Sequence, residues 1–288
     1  MKLNGISSQS NLLFILFILM KLNDIIELWD SVLFAVYNLF IRFYTLIDFK
    51  TQNVIRKNKS LRNSHKGERC FVVMNGPSLN QYNLDAIKKE IVFVANYFYR
   101  SSLVEVVDPN YYVWLDSDFS GTSMDLSQLF SDIHTKCPNA KMLLNYKMHP
   151  YLNGSDSYIH FVKAKHLPNT FNLKGNLSGL TSNFTSVVFF AIISAIYMGF
   201  KNIYLLGLDF EPGGFVHFED LGEGTECDKP SMKVMKSDVC GLHWQYARAQ
   251  YESFWVARFA KKHKCNVFNM NKNSHIRAFD FADYDSLF

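Results

Sequence analysis

The chain has 288 residues, 48% of them hydrophobic and 16% aromatic, which is enough apolar material for one large core and excludes wholesale disorder. A net charge of +4 does not by itself point to a nucleic-acid partner. Five widely spread cysteines without a CxxC pair exclude a disulfide framework and a zinc knuckle, so the thiols read as reduced and the setting as cytoplasmic.

The N-terminal region differs from the rest. "NLLFILFILM", Asn11 to Met20, is too short to span a bilayer, and "KLND" follows it in place of a small-residue cleavage site, so secretion is not expected. From Leu22 to Ile47 the pattern is helical. Asp24, Glu27, Ser31, Asn38, Arg42 and Thr45 step by three, four or seven residues into one narrow polar stripe, and apolar residues cover the remaining circumference. Such a helix lies in a membrane interface, packs against another chain, or packs on the protein's own core; Asp24, Glu27, Asp30 and Arg42 argue against a true span. From Lys50 to Arg69 seven Lys/Arg stand against one acid, Glu68, and this run reads as a basic linker at an anionic headgroup surface. The expected organisation is a membrane-associating helical segment at 1–49, a basic linker at 50–69 and a globular domain at 70–288, held peripherally at the cytoplasmic face of the inner membrane.

From Cys70 onward, short β-like runs alternate with helical ones. "CFVVM", "IVFVAN", "YYVWLD", "KMLLN", "YIHFV", "NIYLLGLDF" and "NVFNM" read as strands. Helical stretches are expected at "LDAIKKE", Met124–Lys136, Phe184–Gly199 and residues 242–264. Strands without alternation, separated by helices, predict a Rossmann-like α/β fold with a mostly parallel sheet and helices on both faces. Ligands of such sheets bind at the carboxyl ends of the strands, so the residues just after each strand carry the information.

The first strand ends in Asn75-Gly76-Pro77-Ser78. Gly76 permits close backbone approach, and Ser78 with the following amides is placed to cap a helix and face a phosphate; an ordinary strand-to-helix turn is the plainer reading. Other strands end in Asn96-Tyr97-Phe98-Tyr99, in Asp116-Ser117-Asp118 and in Gly207-Leu208-Asp209-Phe210. "GLTSNFTS" places Thr181, Ser182 and Asn183 before the long apolar helix, where hydroxyls and a helix N-terminus can meet an anion.

The ordered set "NGPSL", "ANYFY", "AIYMGFKNIYLLGLDF" and a histidine opening the next helix, in "CGLHWQY", resembles the bacterial lipooligosaccharide sialyltransferases, over roughly residues 70–275. It also touches a wider group of flagellin-glycosylation-associated domains with the same strand end. The resemblance implies a single GT-A-like domain that transfers a sugar from a nucleotide-sugar donor, with a CMP-linked acidic sugar such as sialic acid as leading candidate, to a glycan or glycolipid acceptor in lipopolysaccharide biosynthesis. It implies donor contacts at Asn75, Gly76, Ser78, Asn96, Gly207 and Asp209, a general base at His243, a lid at 211–239 and no cofactor. The chain departs from the family at Asp116 and Asp118, where the family has Asn-Pro. Two carboxylates there suit Mn or Mg bridging a nucleotide diphosphate, and so a metal-dependent pyrophosphate-transferring relative stands as the alternative, beside a non-catalytic nucleotide-binding module. His275, in "NKNSHIRAF", reads as a surface residue of the last loop or as lining the site.

Overall fold

Apolar runs that do not alternate become strands buried on both faces. In the computed structural model, which describes residues 22–115, 125–152, 156–169, 172–210 and 239–288, the first strand is β1 (Arg69–Val73). β2 (Val92–Ala95), β3 (Tyr111–Trp114), β4 (Lys141–Asn145), β5 (Ile159–His166) and the short β6 (Leu180–Ser182) follow. β7 (Asn202–Leu206), β8 (Asn266–Asn269) and β9 (Asp280–Phe281) complete one nine-stranded sheet in the order β6-β5-β4-β3-β2-β1-β7-β8-β9. Every ladder between these strands is parallel. The chain builds outward from β1 to one edge, then returns and builds outward from β7 to the other. The order therefore reverses between β1 and β7, and the β1/β7 boundary is the topological switch point.

Successive side chains of β1 enter two cores. Cys70 and Val72 pack on one face with α5 (Val187–Met198), and Phe71 and Val73 pack on the other with α3 (Leu103–Val107) and α4 (Leu126–Lys136). α5 is apolar all round and buried, as expected of a helix covered on both sides. It is covered outside by α6 (Val239–Lys262), whose buried Glu252 accepts from the Thr185 amide at 2.8 Å and from Arg248 Nε at 3.2 Å.

Three expectations need correction. "LDAIKKE" forms only a 3-10 turn, Leu84–Ile87. β6 and β9, unforeseen, sit in segments with no apolar run. The basic run is not a linker. It folds as α2 (Phe49–Ile55) and a 3-10 helix, Arg56–Leu61, that bury Ile55, Asn58 and Leu61 in the domain. Asn58 shows why: its Nδ2 donates to Phe161 O at 2.8 Å and Leu177 O at 2.7 Å, and its Oδ1 meets His160 Nδ1 at 3.0 Å. Both amide hydrogens are engaged, so Oδ1 is the acceptor and His160 carries its proton on Nδ1. The globular unit therefore begins before residue 50.

The N-terminal helix α1 (Leu22–Ile47) docks on this unit through Asn38 and Thr45 of its polar stripe, while Arg42 stays exposed. Asn38 is 7% exposed, donates to Leu167 O at 2.8 Å and accepts from Leu167 N at 2.9 Å. Thr45 is also buried, whereas Trp29, Phe40 and Phe43 on the opposite side are exposed. Leu28–Ile47 is long and apolar enough to cross a membrane by length and composition. "NLLFILFILM" lies outside the described residues.

Candidate functional site

The carboxyl ends of β1, β2, β7 and β8 meet at the switch point. Their geometry turns on Asp209, which is 7% exposed and follows β7. Its Oδ2 accepts the Ser78 amide at 2.8 Å, its Oδ1 accepts from Asn271 Nδ2, and its carbonyl accepts the His275 amide at 2.9 Å and the Ser274 hydroxyl at 3.3 Å. One carboxylate thus joins the turn after β1, the end of β7 and the loop after β8.

Both glycines are required by this closeness. A Cβ on Gly76 would collide with Gly207 O and Asp209 Oδ2. Gly207 has φ +65, and a Cβ there would collide with Met74 O. Gly76 N donates to Gly207 O at 2.9 Å. The group that approaches the Asn75–Ser78 turn is therefore the neighbouring strand end. This corrects the expected phosphate-facing cap: the residues after Gly76 form a short 3-10 helix, Pro77–Gln81, whose Ser78 amide is already bound to Asp209.

Side-chain polar groups around the same crevice remain unmatched. Asn75 Oδ1 and Ser78 Oγ after β1, Asn96 Oδ1 after β2 and Asn269 Nδ2 at the end of β8 are buried and find no partner among the described residues. Buried polar groups are ordinarily hydrogen-bonded, so four orphans at the carboxyl ends of β1, β2 and β8 make this crevice the candidate ligand site. Asn96 is also held at φ +54, with its carbonyl accepting from the Tyr112 hydroxyl, which itself accepts the Tyr99 amide at 3.0 Å. Burial and the Asp209 charge push the nearby Tyr82 phenol up to about 12, which keeps it a hydrogen-bond donor at neutral pH.

Asn75, Gly76, Ser78, Asn96, Gly207 and Asp209 lie together at the carboxyl ends of β1, β2 and β7, where Gly76, Gly207 and Asp209 pack the strand ends against one another. Thr181 and Ser182 are not brought there. They lie on β6, the edge strand five positions from β1, fully buried. Thr181 Oγ1 donates to Asn176 O at 2.8 Å, and Ser182 Oγ accepts the Lys174 amide at 2.9 Å. Asp116 and Asp118 lie outside the described residues, as does the expected lid apart from its last residue, Val239. Among the described residues no group of three or more His, Cys, Asp and Glu side chains has the arrangement of a metal site.

His243 is exposed and stands on the fifth residue of α6, so it does not open that helix as expected. One turn on, the Tyr246 ring stacks on Phe210 with centroids 5.5 Å apart, and Phe210 directly follows Asp209. The face of α6 that carries His243 thus borders the carboxyl end of β7. His275 has an exposed side chain, with its backbone tied to Asp209. Asn269, Asn271 and Ser274 were missed, although "NMNKNS" directly after the last apolar run was the available signal.

A family model described as 6-hydroxymethylpterin diphosphokinase MptE-like matches residues 45–212. The chain belongs to the MptE-like family. The matched span contains α2, all strands from β1 to β7 and the residues from Asn75 to Asp209 that shape the crevice, and stops before His243. Among solved structures, the chain is similar to the sialyltransferase CstII from Campylobacter jejuni in complex with the substrate analogue CMP-3FNeuAc, at 13% identity and TM-score 0.43 over 74% of this chain and 85% of that one. The same enzyme with cytidine-5'-monophosphate gives 15% identity and TM-score 0.44 over 75% and 85%. No protein of curated function matches the chain.

Proposed function

We propose that this MptE-like protein is a nucleotide-dependent transferase whose donor occupies the β1/β7 crevice. The observation that carries the reading is the set of four groups without a partner among the described residues, Asn75 Oδ1, Ser78 Oγ, Asn96 Oδ1 and Asn269 Nδ2. Three acceptors and a donor pair of hydrogens, fixed on neighbouring strand ends, suit the mixed donors and acceptors of a nucleotide. The leading form of the reaction is glycosyl transfer from a nucleotide sugar, a CMP-linked acidic sugar first among them, as the order of motifs from "NGPSL" to "CGLHWQY" suggests. An acceptor hydroxyl attacks the anomeric carbon, the bond from that carbon to the nucleotide phosphate breaks, and His243 Nδ1 or Nε2 takes the hydroxyl proton.

Diphosphate transfer is the second reading, favoured by the description of the family model. In it an acceptor hydroxyl takes the β- and γ-phosphates of a nucleoside triphosphate, and Asp116 and Asp118 are the carboxylates suited to hold a divalent metal. The two are separated by incubating the full chain with CMP-sialic acid or with ATP, each with Mg²⁺ or EDTA, and following released nucleotide by phosphorus NMR. Release of CMP unaffected by EDTA supports glycosyl transfer. Release of AMP that EDTA abolishes supports diphosphate transfer. Neither donor being consumed, with no nucleotide raising the unfolding temperature, overturns the transferase reading.

A further inference from the structure

The geometry points to a lipid-phosphate site: α1 lies flat in the interface of an anionic bilayer, and the basic cavity at its C-terminal end takes the phosphate of a lipid headgroup. Amphipathic helices on soluble domains turn their apolar side inward, but α1 does the reverse. Asn38 and Thr45 of its polar stripe are buried against the domain, while Leu33, Leu39, Phe40, Phe43, Leu46 and Ile47 are more than half exposed. They lie along the twenty residues Leu28–Ile47, a helical length of about 30 Å, and this exposure is well beyond the scattered kind normal for a soluble monomer.

The docking contacts set the orientation. Phe34 packs under Arg248 of α6 with the guanidinium 5.2 Å from its ring, Asn38 pairs with Leu167, and Asp48, just past the helix, receives Lys163 Nζ at 3.0 Å. Contacts spread over this length hold α1 alongside the domain. Crossing a bilayer in that position would carry the charged Arg248 and the polar backbone at Leu167 into hydrocarbon, so the helix lies in the plane of the interface.

Where the apolar strip ends, the charge changes. A cavity of about 330 Å³ opens between Tyr44, α2, β5 and the segment after β4. Its lining holds Lys50, Lys147, Lys163 and Lys165 with His149, against the single acid Asp48. Asp48 is already matched: the Thr51 hydroxyl and amide and the Lys163 ammonium hold its carboxyl down at about 2. Lys163 is its partner and is 2% exposed, and among the described residues the exposed Lys50, Lys147 and Lys165 have no ion-pair partner. Tyr44 belongs to both features: it is half exposed on the apolar side of α1, and Lys163 and Lys165 lie 4.9 and 6.0 Å from its ring centroid. Apolar side chains at one depth and three lysines one step above are the layering of a headgroup region. The complementary occupant is the phosphate of an anionic lipid, presented by the bilayer that α1 enters.

The test is flotation of the full chain with vesicles of phosphatidylcholine alone and of phosphatidylcholine doped with phosphatidic acid. Wild type should float with both and bind the doped vesicles more tightly. Lys147→Glu with Lys165→Glu should lose roughly tenfold or more on doped vesicles and keep the phosphatidylcholine level, at an unchanged unfolding temperature. Phe40→Asp with Phe43→Asp should float with neither. Glycerol phosphate in solution should not release wild type; release by it would show a free-phosphate site and overturn the lipid assignment. Equal binding of wild type and the lysine variant to doped vesicles would remove the cavity from membrane contact. A defined soluble dimer by light scattering that ignores vesicles would assign the apolar strip to a second copy and overturn the proposal.

Discussion

The Ser78 amide donates to Asp209 Oδ2 at 2.8 Å across 131 residues of sequence. This bond draws the turn after β1 against the end of β7, and the same carboxylate holds Asn271 of the loop after β8. Asp209→Ala leaves two buried donors unmatched, and each costs about 1–3 kcal/mol. Denaturant unfolding should show a loss of roughly 2–5 kcal/mol. A loss within about 0.5 kcal/mol, the range of ordinary surface substitutions, would mean that Asp209 does not hold the crevice together.

Gly76→Val should destabilise the fold itself. The added side chain enters space occupied by Gly207 O and Asp209, so a well-folded variant that has lost only ligand affinity is not expected. Ser78→Ala separates the two roles, because the Ser78 hydroxyl has no partner among the described residues while its amide is unchanged by the substitution. Thermal unfolding of Ser78→Ala should match wild type, with nucleotide affinity reduced. The reverse pattern would make the hydroxyl structural.

Chain removal gives a third prediction. A chain starting at residue 48 keeps Ile55, Asn58 and Leu61, and one starting at residue 66 loses all three from the buried interior. The longer chain should unfold cooperatively, whereas the shorter should not, since each large apolar truncation alone costs about 2–5 kcal/mol. Equal unfolding temperatures would return residues 49–61 to the status of a linker.

Acidification supplies a fourth. Burial, with the charges of Lys57 and Lys141, lowers His160 to about 4, and burial with Lys174 lowers His166 to about 4. Between pH 6.5 and 4 the unfolded chain takes up protons that the folded chain refuses. Stability contributed by the neutral rings is present above about pH 6.5 and falls as the pH drops through that window, by roughly 1–3 kcal/mol for each ring. Unfolding free energies at pH 7 and pH 4.5 measure it, and His160→Gln should flatten part of the slope. An unchanged slope would show that His160 titrates normally.

The sheet was legible because strands buried on both faces appear as bare apolar runs, as "CFVVM" and "NIYLLGLDF" do. The rule that ligands meet strand carboxyl ends then singled out Asn75, Ser78, Asn96 and Asp209 in advance. Their roles were not legible. Whether the Gly76 turn admits a ligand or a neighbouring strand depends on β1 lying beside β7, a pairing of residues more than 130 apart. Thr181 and Ser182 precede the long helix in sequence, yet β6 lies at the sheet edge, a matter of strand order that local chemistry does not encode. The inward direction of Asn38 in α1 follows from Leu167, whose backbone offers it both a donor and an acceptor.

His243 carries the catalytic part of the glycosyl reading. His243→Ala should lower turnover by about 10²–10⁴ while donor affinity stays nearly constant, because the four orphan groups proposed to hold the donor are all on other residues. Turnover within a few-fold of wild type would remove the histidine from the mechanism.

The most direct test of the central claim is a calorimetric titration of the full chain in detergent micelles with CMP and with ATP, repeated on Asn75→Ala and Asn96→Ala. Both substitutions remove a buried oxygen that has no partner among the described residues. Wild type should bind a nucleotide, and each variant should bind it about 3–10-fold more weakly, in line with one lost hydrogen bond, at an unchanged unfolding temperature. Binding of equal strength in wild type and both variants would contradict the claim.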